Sequence, residues 1–510
     1  MLVRDFLDYD VAHFPGKLAV IFKQERLIYR SLQDRVMQLA AGLASRGVKK
    51  GDRVAVLMWN CNELVETYLA AAEIGAIFTP INYRLTRAEL AYVIADSSPA
   101  VLIADHRCQE MITDDMMAGL VGRLYSASNS PPAAMRPYRE LFITPHPQSR
   151  TPIEPNDACE LLYTSGTTGK PKGVLLSNEN VVWNTVNMML ERHDRCDDVA
   201  LIVGPMFHGA ALNSHYTSRL ALGATAVIMD RFDAKETMEL IQKEKVTVVS
   251  GSPTMFIMLM EGCKPGEYDT SSVMAVTSGA DKLPVQVQQS IRKYFPNIEG
   301  VYDVYGATEC SPCVTTLAAR DSIRKAGSIG RPLPFVKVRL LDDEGKEVKQ
   351  GEVGEIVVQG SGVMLGYYNQ PEETSKVMKD GWFYTGDMAW ADEEGFLYFT
   401  DRKKDIIVSG GENIASREVE EALYKHPDTV RVAVFGVPDE KWGERVVAAV
   451  ILSEGAVPDA EAIRSFLRQH LSSYKIPREI IFVDKLPESG PGKVQKNALK
   501  KMYLAMKEGH

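Results

Sequence analysis

The chain has 510 residues, with 67 acidic side chains against 58 basic ones and a formal net charge of −9. That balance excludes a broad nucleic-acid-binding face, while 45% hydrophobic and 25% charged residues are the make-up of an ordinary globular protein with room for more than one domain. Seven scattered cysteines form no disulfide framework, no apolar run nears the roughly 18 residues of a membrane span, and the acidic start MLVRDFLDYD is no secretory signal, so a cytoplasmic location is the expectation.

The first 150 residues alternate two periodicities. Leu32 to Arg46 carries Val36, Leu39, Ala40 and Leu43 at helical spacing and is broken by Gly47. Arg53 to Met58 reads as a buried strand, Leu64 to Ile74 as a helix and Ala76 to Pro80 as another strand. Such alternation predicts a layered α/β domain. Residues 128–156, rich in Pro, Ser and Asn, read as a long surface connection.

That connection leads into LLYTSGTTGKPKGVLLS, residues 161–177. Two apolar runs, Leu161 to Tyr163 and Val174 to Leu176, flank a loop holding Thr164, Ser165, Gly166, Thr167, Thr168, Gly169, Lys170 and Lys172. Glycines let the backbone turn its N–H groups onto a ligand, hydroxyls add neutral donors and lysines add positive charge, which together suit a polyphosphate. The nucleoside-triphosphate loop G-x-x-x-x-G-K-[ST] does not fit, because Thr164 stands where its first glycine belongs and Pro171 follows Lys170. Proline also disfavours running on into a helix, so the expectation is strand–loop–strand.

Further on, Ala200 to Val203 leads into Gly204-Pro205-Met206-Phe207-His208, and a histidine just past a strand end is where α/β sheets carry site residues. Val246 to Ser250 and Ala275 to Ser278 are two more strands, the second opening into Gly279-Ala280. Next come Tyr302-Asp303-Val304-Tyr305-Gly306-Ala307-Thr308-Glu309, and then Trp382-Phe383-Tyr384-Thr385-Gly386-Asp387 with a return strand Gly395 to Phe399. Cys310 and Cys313 make a C-x-x-C with no second pair at zinc spacing and carry no metal in this reading. The charged run Asp401 to Asp405 is the expected domain boundary, followed by Val408 to Ile414 around Gly410-Gly411. Beyond it, Glu418 to Tyr424 and Ala460 to Leu471 read as helices, and Val430 to Val437 and Val446 to Leu452 as strands. A Pro/Gly-rich loop then precedes Lys493, and Lys496, Lys500 and Lys501 read as solvated surface lysines.

In this order the stretches resemble the signatures of the adenylate-forming superfamily, which includes acyl-CoA synthetases, firefly luciferase and peptide-synthetase adenylation domains. The resemblance implies a large N-terminal multi-layer α/β domain over residues 1–401 and a small mobile C-terminal α+β domain over 402–510, with its hinge near 402–405 at Lys404. It implies that the 164–172 loop holds ATP phosphates and that Gly279, Ala280, Asp303, Tyr305 and Gly306 receive the adenine. Thr308 would donate to the α-phosphate, Glu309 with the Thr164 hydroxyl would hold Mg²⁺, and Asp387 and Arg402 would hold the ribose. His208, Ser250, Gly251 and Tyr302 would line the acyl pocket, with His208 by the substrate carboxylate, Gly410 and Gly411 the coenzyme A channel, and Lys493 would be the catalytic lysine.

The implied reaction joins a small-molecule carboxylic acid, ATP and coenzyme A in two steps, through an acyl-adenylate and then a thioester, with the small domain rotating between them. A medium- or long-chain fatty acid is the expected substrate, a benzoate-like acid the alternative. Loading of a carrier protein is a second reading, against which no carrier domain follows Lys493. A non-catalytic nucleotide sensor is a third, against which Lys493, Glu309 and Asp387 stand together. Oligomeric state is open, a homodimer included.

Overall fold

The computed structural model describes residues 1–120, 122–128, 130–144, 150–164, 170–279, 281, 283–409, 412–489 and 493–508. Two compact units divide it, Met1–Val338 with Val358–Phe383, and Arg339–Val357 with Tyr384–His510. Residues 402–405 therefore fall inside the second unit.

The first unit is built on two large sheets with helices against them. One has nine strands in the order Arg331–Pro332, Cys313–Leu317, Val301–Gly306, Ala275–Gly279, Val248–Gly251, Val199–Ile202, Thr225–Ile228, Leu18–Phe22, Glu25–Ile28. From Val301–Gly306 to Leu18–Phe22 the neighbours are parallel, and antiparallel partners close both edges. The other has eight: Gly366–Tyr367, Lys172–Ser177, Ala158–Thr164, Ile77–Pro80, Arg53–Leu57, Val101–Ala104, Leu124–Ser126, Arg136–Pro137. Parallel strands covered on both faces need apolar residues at every position. Val101, Leu102, Ile103 and Ala104 are all fully buried, which is why these strands read as continuous apolar runs.

Three expectations need correction. The stretch 128–156 is not a mere surface connection: it contains a 3₁₀ turn, Tyr138–Leu141, whose Leu141 is completely buried. Leu141 presses so closely on the helix Tyr29–Ser45 that a Cβ on Gly42 would fall 1.6 Å from its carbonyl oxygen. The helix expected from Ala460 to Leu471 stops at Leu467. Lys496 is not a solvated lysine; its Nζ lies 2.5 Å from Ser416 Oγ and 2.7 Å from Glu420.

In the second unit, residues 387–391 pair antiparallel with Leu397–Arg402, and a separate sheet has the order Glu412–Ile414, Ile407–Ser409, Gly443–Leu452, Thr429–Asp439, with Glu479–Phe482 parallel to Gly443–Leu452. Alternation along Thr429–Asp439 sends Val432 and Val434 to a core with Val419, Leu423 and Ile463, and Ala433, Phe435 and Val437 to another with Leu499 and Tyr503. Helices thus cover both faces. No helix of the described residues is long and apolar enough to cross a membrane.

Charge is also buried in the first unit. Arg192 and Arg219 are almost fully enclosed; Arg192 lies 2.7 Å from Asp194, which Arg219 also contacts, and Arg219 lies 3.4 Å from Asp198. Removing one partner of such a pair strands the other in low dielectric, at about 3–5 kcal/mol. Asp194→Ala is expected to lower unfolding free energy by that amount, measured by urea titration, whereas Asp197→Ala, in an exposed pair with Arg195, should shift it by less than about 1 kcal/mol.

Candidate active site

The strand Ala158–Thr164 and the strand Lys172–Ser177 form an antiparallel pair in which Thr164 faces Lys172 and Tyr163 faces Gly173. The strand–loop–strand expectation is met. Ser165, Gly166, Thr167, Thr168 and Gly169 lie outside the described residues. At the foot of the loop Lys170 Nζ stands 5.5 Å from the Tyr92 ring centroid. Lys172 Nζ lies 2.5 Å from Glu373 Oε2 and 5.0 Å over the Tyr367 ring. Hydrogen bonds from Lys172 and Lys376 hold the Glu373 carboxyl down to about 2, so it stays ionised.

Tyr367 connects this hairpin to a second motif. Its strand, Gly366–Tyr367, pairs with Val174 and Leu175, and its hydroxyl donates to Glu309 Oε1 at 2.9 Å. Burial and the Glu309 charge push the phenol far above its ordinary range, so it remains a donor. Glu309 sits on the 3₁₀ turn Thr308–Cys310, with its carbonyl held by the Met364 amide at 2.8 Å. One carboxylate oxygen is thereby fixed by the tyrosine whose ring lies under Lys172. No group of three His, Cys, Asp or Glu gathers as a metal cage among the described residues. A single oriented carboxylate nevertheless fits Mg²⁺, which keeps most of its ligands as water and substrate phosphate. Tyr367 and Glu373 escaped the sequence reading because both act through partners many residues away; the only local signal was an aromatic run after Gly366.

The remaining motifs of the first unit stand at the carboxyl ends of neighbouring parallel strands, where α/β sheets bind ligands. Gly251 is level with Ser278, Ser278 with Asp303, and Gly279 with Val304. A Cβ on Gly279 would lie 3.1 Å from the Val304 carbonyl oxygen, and one on Gly306 only 1.8 Å from that of Pro312, so only glycine fits at 306. Along Val301–Gly306, Asp303 and Tyr305 share one face. Tyr302 takes the other, toward Glu299, Glu191 and Asp194, so the structure does not bring it together with them. Ser250 is buried at its strand end, and Ala280 lies outside the described residues. His208 follows Val199–Ile202; its ring is 4.3 Å from Phe207, which meets Tyr83 edge-on at 5.0 Å, and Tyr83 stacks on Trp59 at 4.9 Å. Past His208 the chain forms a π-helix, Ala210–Thr217, a form concentrated at functional sites and invisible to periodicity.

In the second unit Asp387 lies opposite Arg402, whose Nε is 3.7 Å from its Oδ1. Gly386, at φ +73°, turns the strand there, its amide donating to Glu355 and that of Asp387 to Thr385 Oγ1. Beside this pair, desolvation first, then Arg402, lowers the Lys404 ammonium from its ordinary range. Asp401 accepts from Ser416 Oγ at 2.7 Å and from the Arg417 amide at 3.2 Å. The strands Ile407–Ser409 and Glu412–Ile414 bracket Gly410 and Gly411, which lie outside the described residues. The Lys493 backbone pairs with Ser489; its side chain is outside the description. The two cysteines of the C-x-x-C, Cys310 and Cys313, are both buried.

Residues 7–368 match the AMP-binding enzyme family and residues 418–493 its C-terminal domain, so the chain belongs to that family. It is 36% identical over 509 residues to the indoleacetate–CoA ligase of Aromatoleum aromaticum, covering 98% of both chains. It is 35% identical to the long-chain-fatty-acid–CoA ligase of Bacillus subtilis, covering 98% of this chain and 94% of that one. Among solved structures it resembles ATP-bound MatB from Rhodopseudomonas palustris, with TM-score 0.88, 29% identity and 99% of each chain covered.

Proposed function

We propose that this ATP-dependent, AMP-forming acid–CoA ligase activates an acid with an apolar body. The observation that carries the reading is the meeting of Lys172, Tyr367 and Glu309 on one sheet edge, which sets a cation and an oriented carboxylate beside a phosphate hairpin. The acid's carboxylate attacks the α-phosphorus of ATP and pyrophosphate leaves; the coenzyme A thiol then attacks the acyl carbonyl and AMP leaves. Positioning and electrostatics supply most of such catalysis. Thr164, Ser165, Gly166, Thr167, Thr168, Gly169, Lys170 and Lys172 hold the outer phosphates, Thr308 and Lys493 the α-phosphate, Asp387 and Arg402 the ribose. Gly279, Ala280, Asp303, Tyr305 and Gly306 receive the base. His208, Ser250, Gly251 and Tyr302 attend the acid, and Gly410 and Gly411 the thiol. Mg²⁺, held by Glu309 and the Thr164 hydroxyl, would neutralise phosphate charge. The enzyme is cytoplasmic in this reading.

A medium- or long-chain fatty acid is one substrate class; an aromatic acid is the other, and the relatives that act on indoleacetate and on long-chain fatty acids support both alike. AMP release with and without coenzyme A, over fatty acids of graded length and aryl acids, separates them. Coenzyme-dependent turnover of neither class would overturn the ligase reading.

Glu309→Gln should cut adenylation strongly, and Tyr367→Phe, which removes one hydrogen bond to a charged group, should raise the magnesium requirement about tenfold. Unchanged magnesium titrations of pyrophosphate release would remove both from the metal's surroundings.

The C-terminal part, from residue 402, turns about Lys404 between the two steps in this reading. Lys493→Ala should lose two to three powers of ten, roughly, in acyl-AMP formation yet convert synthetic acyl-AMP to thioester at near wild-type rate. Lys404→Pro, with φ fixed near about −65°, should do the reverse. Slowing of the same half-reaction by both contradicts the rotation.

A further inference from the structure

The strand that feeds the phosphate loop carries a buried acid that the reaction above does not use. Its repeat of two puts Glu160, Leu162 and Thr164 on one face. That face runs along the segment following His208. A Cβ on Gly209 would touch Leu162 at 3.4 Å, and Glu160 Oε2 accepts from Asn213 Nδ2 at 2.8 Å. Glu160 Oε1 accepts from Tyr68 OH at 3.0 Å, and Tyr68 OH lies 3.3 Å from Thr217 Oγ1, which donates to the Leu212 carbonyl at 2.9 Å. Glu160, Asn213 and Thr217 have no solvent exposure. Asn213 and Thr217 both belong to the π-helix Ala210–Thr217, so one carboxylate ties that helix to the strand ending in Thr164.

We infer that Glu160 is a positioning residue for adenylation, its ionised carboxylate holding the helical turn behind His208 in register with the phosphate hairpin through Asn213 and Tyr68. This rests on the acid–CoA ligase reading and adds to it the device that aligns the acid with ATP. An ionised Glu160 requires the Asn213 amide to present its NH₂; protonation removes that requirement and frees the amide to turn, since Asn213 Oδ1 has no hydrogen-bond partner among the described residues. Burial pushes Glu160 up to about 7, so the change falls in the neutral range.

No described group packed around it carries a competing charge there. Helix Asn62–Ile74 presents Tyr68, whose phenol burial holds well above its usual range, and Glu160's own strand carries Cys159, likewise raised. From the π-helix come Tyr216, whose ring is 6.5 Å from that of Tyr68, and His215, which burial, Arg192 and Arg219 keep neutral by lowering it to about 3. The flanking strands present Phe78 and Leu176, which do not titrate.

The test is acid-dependent pyrophosphate release between about pH 5.5 and 9 with the full chain. Wild type should lose rate on the acid side with a midpoint near neutrality. Glu160→Gln, a neutral mimic of the protonated acid, should run near the low acid-side rate at every pH and show no limb; a variant that keeps the full alkaline rate overturns the inference. Asn213→Leu should raise KM for the acid about tenfold, the scale of one hydrogen bond to a charged group, with KM for ATP within about twofold. A Glu160→Gln enzyme that retains the limb, or an Asn213→Leu enzyme with unchanged acid KM, overturns the inference while leaving the ligase reading intact. If Glu160→Gln does not fold, Tyr68→Phe replaces it: loss of one donor should move the limb to higher pH, and an unmoved limb overturns the inference. Wild type inactive with every acid overturns the ligase reading and this inference with it.

Discussion

A parallel strand covered on both faces has no solvent to hide a polar group in, so any polar side chain it keeps must find a partner in the layer against it. Ala158–Thr164 is such a strand for most of its length, and this constraint shapes its surroundings. Its side chains on one face are a carboxylate met by Tyr68 and Asn213, a leucine beside Gly209, and a threonine at the strand's end. The neighbouring Lys172–Ser177 turns back antiparallel, which brings Gly366–Tyr367 onto the sheet edge and with it the hydroxyl that grips Glu309. One strand thus sets the relation of the hairpin to the segment of His208 on its face and to Glu309 through its partner.

Much of the first unit was legible from pattern. Runs such as Arg53 to Met58 and Ala275 to Ser278 are strands within a residue or so of where their apolar stretches end, because a doubly covered strand has to be apolar throughout. The hairpin form of this stretch was legible from Pro171, which denies the helix that an ordinary triphosphate loop needs. What stayed hidden depends on partners far along the chain. Nothing around Tyr367 says that it bonds Glu309, and nothing around Lys496 separates it from a surface lysine until Ser416 and Glu420 come to it. The stretch 128–156 misled because Pro and Ser mark turns without saying whether a Leu141 between them is buried.

The second unit shows how a run dense in charge can be held without being loose. Asp401 is almost wholly buried and holds Ser416 and the Arg417 amide, while Lys403 pairs with Glu355 at 3.0 Å and Asp343 at 2.7 Å. The short turn Lys403–Asp405 is therefore anchored by what precedes it. Asp401 thus ties the strand Leu397–Arg402 to the start of the helix Ser416–Leu423 across the charged turn.

The π-helix Ala210–Thr217 has a consequence for how this enzyme can diverge from its relatives. A π turn holds one residue more than an α turn over the same rise, so it is an insertion already absorbed into a helix. Deleting a single residue there would restore ordinary turns and rotate the side chains on one side of the deletion by about 100° relative to those on the other. Because Glu160 grips Asn213 and Thr217 lies against Tyr68 near the helix's end, the rotation would fall on the stretch nearer His208. One codon lost in this short stretch would thus redraw a whole side of the helix at once, where substitutions change it one side chain at a time.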